Sequence, residues 1–71
     1  MLPDGHYDVL VIDAEPADDG LRIELTLLGG EHKGEVVGII TADLGRDEIA
    51  LLGMPGTLIV ENGVPRLALE P

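Results

Sequence analysis

Thr57-Leu58-Ile59-Val60-Glu61-Asn62-Gly63-Val64-Pro65-Arg66-Leu67-Ala68-Leu69-Glu70 is the stretch that decides the fold. Asn-Gly between two alternating apolar runs is the strongest short-range hairpin signal. Both residues accept positive φ, and the resulting two-residue turn has the twist that paired strands require. Strands are therefore predicted over Thr57–Glu61 and Val64–Glu70, with Leu58 and Val60 sharing one face, as Leu67 and Leu69 do. Proline cannot donate to a ladder, so Pro65 puts the last strand at a sheet edge or at its own beginning.

The same two-fold alternation extends upstream. Leu21, Ile23, Leu25 and Leu27 alternate with Arg22, Glu24 and Thr26, the pattern of a half-buried antiparallel strand. Before it, His6–Ala14 carries the continuous apolar run Val9-Leu10-Val11-Ile12. That run predicts a strand covered in part on both faces, bending between two sheets, with Pro16 ending it and Ala17–Gly20 forming a turn. Gly29–Gly34 reads as a loop because its glycines favour turn conformations. Glu35–Ala42 is the third strand, in which Gly38 marks an expected bulge or bend. One helix is expected after it, capped by Asp47, with Ile49, Leu51 and Leu52 toward the core and Gly53 ending it before Pro55. Alone so short a helix is unstable, so it must plug something.

Size sets the limits on all of this. Seventy-one residues form a single domain spanning 1–71, near the lower bound for independent folding. There is no cysteine to supply a disulfide or a thiolate metal site, so the 45% hydrophobic residues must build the core by packing alone. No apolar run approaches the roughly 18 residues of a membrane span, and the first residues lack a signal-peptide pattern. A cytoplasmic, soluble protein is the expectation.

The order strand, strand, strand, short helix, strand, strand resembles the OB-fold, a five-stranded antiparallel barrel closed at one end by a helix between strands three and four. The fold class expected is mainly β, an OB-like barrel, with an SH3-like small barrel as the alternative. The stretches Gly5–Val9 and Leu25–Gly34, where a strand runs into a Leu-Gly-Gly-Glu-His-Lys-Gly turn, resemble phage single-strand-DNA-binding-like OB proteins. The chain is also similar to small acidic bacterial proteins, a likeness that implies no activity.

Fourteen acidic against four basic residues give a formal charge of −10. Nucleic-acid binders draw most of their non-specific affinity from Lys and Arg on phosphates, and single-strand binders stack bases on aromatic rings. Here Arg22, Lys33, Arg46 and Arg66 are scattered, Tyr7 is the only aromatic residue besides the two histidines, and the first inter-strand loop carries Glu15, Asp18 and Asp19. Direct nucleic-acid binding is therefore not expected; if present, it would centre on Arg22, His32 and Lys33. Metal binding has little basis either. His6 and His32 are far apart in sequence, and the acids from Asp13 to Asp19 lack the ligand spacing of a calcium loop. Neither a metal nor a cofactor is expected.

Catalysis lacks the usual signatures. The chain has no cysteine, no serine and no phosphate-cradling loop, and Thr26, Thr41 and Thr57 lie in strand-like contexts. Tyr7 is expected at the barrel rim with its hydroxyl in water. What remains is a non-catalytic protein-interaction module, binding an unidentified protein or itself, with a nucleic-acid-associated module or an acidic nucleic-acid mimic as the alternative. Met54, in Gly53-Met54-Pro55-Gly56, is the expected contact side chain. Leu28, with Val37 or Ile39 according to register, is expected to form an apolar patch opposite the Leu21/Ile23/Leu25 stripe.

Overall fold

Five strands and one helical turn make up the computed structural model, which describes residues 2–42 and 48–69. The elements are β1 (Gly5–Ala17), β2 (Gly20–Leu27), β3 (Val36–Thr41), α1 (Glu48–Leu51), β4 (Pro55–Glu61) and β5 (Val64–Leu69). The strands pair antiparallel in one sheet of order β3-β2-β1-β4-β5. The protein is mainly β, with β1 as the shared central strand.

The hairpin forms where the Asn-Gly pair places it. Asn62 and Gly63 have φ of 53° and 75°, and Glu61 pairs with Val64 across the two-residue turn. Leu58 and Val60 are buried on the inner face, and β5 is an edge strand with Pro65 next to its first residue, in keeping with both placements open to that proline. The alternating stripe of β2 is also observed, with Leu21, Ile23, Leu25 and Leu27 all buried. Val9, Val11, Ile39 and Leu51 complete the core around them.

β1 departs from expectation. Val9 and Val11 are buried while Leu10 is half-buried and Ile12 exposed, so the apolar run alternates within one sheet and does not pass between two. Its bend is a bulge: Val11 faces Leu25 and Asp13 faces Glu24, leaving Ile12 as the extra residue. Gly38 is no bulge, for β3 passes through it in unbroken register opposite Glu24. Pro16 does not end β1, which pairs Pro16 with Leu21 and continues to Ala17. The two-residue turn makes Ala17 and Gly20 the bonded closing pair. Alternation then turns the Pro16 nitrogen away from β2, toward a side that β4 covers only from Gly5 to Leu10.

Of the three apolar helix residues, Leu51 alone faces the core; Ile49 and Leu52 are exposed. One turn of helix can turn only a narrow stripe inward. The expected cap, Asp47, lies outside the described residues. After the helix the Gly53 amide donates to the Val11 carbonyl (2.8 Å), and the Val11 amide donates to the Met54 carbonyl (3.0 Å). These bonds occupy β1 just where β4 leaves it.

The expected closed barrel does not form. β3 and β5 approach one another but share no ladder and remain the two edges of an open sheet. One cause is in β5. Glu61 and Val64 are the bonded pair that closes the turn, so Pro65, next along, turns toward the seam a nitrogen that carries no hydrogen. The strand that would complete the barrel thus lacks a donor there.

Candidate functional site

The open seam is the most distinctive surface feature. Between β3 and β5 runs a cleft of about 480 Å³, lined on one side by Val36, Val37, Gly38 and Ile39 and on the other by Gly63 and Pro65. Leu58 and Val60 form its floor, while Leu2, His32 and Glu35 line it too. Unlike the interior of a closed eight-stranded barrel, the space is not filled by side chains.

The β3 wall presents backbone as well as side chains. The Leu27 amide donates to the Glu35 carbonyl (3.0 Å). Backbone direction alternates along an antiparallel ladder, so Val37, Ile39 and Thr41 bond toward β2. Val36, Gly38 and Ile40 point their N–H and C=O groups to the free edge. Their side chains stand on the outer face, where Val36 and Ile40 are 57% and 59% exposed. Gly38 is exposed, and a Cβ built on it would meet nothing within 4 Å. Natural sheets blunt a free edge with charge, proline or a bulge. Val36-Val37-Gly38-Ile39-Ile40-Thr41 has none of these.

The opposite wall is braced. Asp4 accepts from the Asn62 amide at 2.9 Å (Oδ2) and from the Gly63 amide at 3.1 Å (Oδ1), tying the N-terminal segment to the hairpin turn. The Tyr7 hydroxyl, at an exposed position, donates to the Pro3 carbonyl. Together these bonds hold Leu2, 9% exposed, against the core. Its side chain closes part of the cleft.

Of the residues singled out from the sequence, His32 lies at this cleft. Its Nδ1 hydrogen-bonds Glu35 Oε2, and its ring meets Tyr7 edge-on, with centroids 6.5 Å apart. Lys33 is exposed in the same turn, its amide donating to the Gly30 carbonyl. Leu28 is exposed just beyond β2. Arg22 sits elsewhere, on the outer face of β2, where Nη1 donates to Glu15 Oε1 across the β1–β2 pair at 3.1 Å. Met54 is not an exposed contact residue: it is half-buried and packed against the core, because its backbone extends the edge of β1. The patch partners expected for Leu28 are also corrected. Val37 and Ile39 stand opposite Leu25 and Ile23 and so face inward with them; Val36 and Ile40 are the outward pair.

The cations are dispersed. Arg22 and Arg66 lie on β2 and β5 with β1 and β4 between them, and each has a carboxylate partner, Glu15 and Glu61 respectively. Arg46 is outside the described residues. Among the described residues, no three His, Asp or Glu side chains group as a metal would require. No helix among them is long and apolar enough to cross a membrane.

Set against known families, curated proteins and solved structures, the chain matches none of them. Its own geometry carries the functional argument. The free edge of β3, missed in reading the sequence, is its main feature. A signal was available in the contrast between an uncharged, proline-free third strand and a fifth strand carrying Pro65 and Arg66. Reading it required knowing which strands end up at the edges.

Proposed function

We propose that this chain is a non-catalytic protein-interaction module that takes an extended polypeptide segment along the free edge of β3. The observation that carries this reading is the unprotected apolar strand Val36–Thr41 beside an open cleft. Strand addition to such an edge satisfies the unpaired N–H and C=O groups of Val36, Gly38 and Ile40. Side chains of the added strand then alternate between cleft and outer face. The groups facing the cleft are chiefly aliphatic, which suits apolar side chains of the incoming segment.

Composition favours a protein ligand over a nucleic acid. A charge of −10 repels phosphates, one Tyr gives no stacking platform, and the arginines on β2 and β5 are engaged by glutamates.

The test is Gly38→Pro. Proline removes a donor directed at the free edge while leaving the β2 ladder intact. Immobilised native chain should retain from cell extract a protein that the folded G38P variant does not. In that complex the amides of Val36, Gly38 and Ile40 should become protected from hydrogen exchange. Equal retention by both chains, with those amides unprotected, would overturn the reading.

A further inference from the structure

The sequence of the edge itself identifies an occupant. Val36-Val37-Gly38-Ile39-Ile40 is a palindrome in shape, with two β-branched residues on each side of a glycine. We infer that the segment which pairs with β3 is β3 of a second copy of this chain, antiparallel and centred on Gly38. This rests on the edge-docking reading above and names its partner.

The backbone directions fit that register. Centring the pair on Gly38 sets Gly38 opposite the partner's Gly38, and Val36 opposite the partner's Ile40. Those three residues are the ones whose N–H and C=O groups face the free edge, so the Gly38–Gly38 pair and both Val36–Ile40 pairs are bonded ones, with the Val37–Ile39 pairs between them non-bonded. Two-fold symmetry makes the contact self-complementary and closes it at two chains. On the outer face Val36 and the partner's Ile40 cover each other, which accounts for their exposure in the single chain. On the inner face Val37 meets the partner's Ile39 over the cleft. The glycine at the centre leaves space where two backbones meet, since nothing lies within 4 Å of a Cβ at that position. No charged side chain stands on either six-residue strand. The overall charge of −10 nonetheless opposes association, and salt screens it.

Sedimentation equilibrium of the full chain, from about 1 µM to about 1 mM, tests the inference across the affinities expected of a small interface. A monomer–dimer equilibrium that tightens as salt rises is expected; a complex with a basic partner would weaken. Val36→Lys with Ile40→Lys sets like charges opposite each other and should raise the dissociation constant at least about tenfold. The two lysines also reduce the net negative charge, so such a loss cannot come from overall repulsion. Val36→Lys with Ile40→Glu keeps the native net charge, sets each introduced lysine against the introduced glutamate of the other copy and should restore the dimer. All these side chains lie on the exposed outer face, and circular dichroism checks that each variant is folded.

A chain that stays monomeric throughout overturns the inference. So does a dimer indifferent to V36K/I40K, or one lost in V36K/I40K and not regained in V36K/I40E. If the native chain is monomeric yet retains another protein that G38P releases, self-pairing falls and edge docking stands. If neither association occurs, both fall.

Discussion

The two edges of the sheet are built in opposite ways. β5 carries Pro65 and Arg66, and its hairpin turn is tied to the N-terminal segment through Asp4. β3 has six residues without charge, proline or bulge, and no strand among the described residues pairs with its outer edge. Both belong to one sheet of one small protein, so the contrast is informative. Natural sheets blunt an edge that must not pair, and β5 is blunted in that way where β3 is bare.

The contrast can be broken most severely from beneath. Leu58 is fully buried under the hairpin, and Leu58→Ala should cost about 2–5 kcal/mol in denaturant unfolding. Ile39→Ala, on the β3 side, should fall at the low end of that range, because its pocket wall is already open to the cleft. An equal or larger cost for Ile39 would mean that the seam is closed in solution.

Gly20 offers a second handle, on the β3 side alone. A Cβ there would lie 2.1 Å from the Thr41 carbonyl oxygen, and its φ of 139° disfavours any side chain. Gly20→Ala should destabilise by about 1–3 kcal/mol and loosen the end of β3. Amide exchange at Ile39 and Thr41 should rise more than at Ile59. A uniform rise would show that the two edges unfold as one.

Asp4→Ala removes the brace from the other edge. It should cost about 1 kcal/mol, or about 4–8 °C in Tm, and leave any association through β3 unchanged. A change in association would join two regions that are here separate. The smallest effect is expected of Arg22→Ala. Its ion pair with Glu15 is exposed on both sides, so thermal unfolding should move by no more than about 0.5 kcal/mol.

The site was less legible than the fold. Leu28 and Lys33 stand exposed, but Met54 was misplaced because a short loop with a flexible apolar side chain looks like a surface feature. Here that loop bonds to Val11 and continues a strand. Pro16 reads as a stop because the sequence does not reveal which way its nitrogen faces. The sequence predicts a bend both in β1 and at Gly38; the register breaks at Ile12 and runs unbroken through Gly38. A glycine signals permission to bend, whereas a bulge arises where β1 exchanges one neighbour for another.

Local chemistry was enough to determine the mainly β character, the Asn62-Gly63 turn and the inward stripe of β2. Each depends on residues adjacent in the chain and on a two-residue period. Only the tertiary structure decided that the sheet stays open, that β3 and β5 are its edges and that Val36, Gly38 and Ile40 face outward with free backbone. The first two depend on which distant strands pair, and the last on their register, where a shift of one residue would exchange the outward and inward residues of β3.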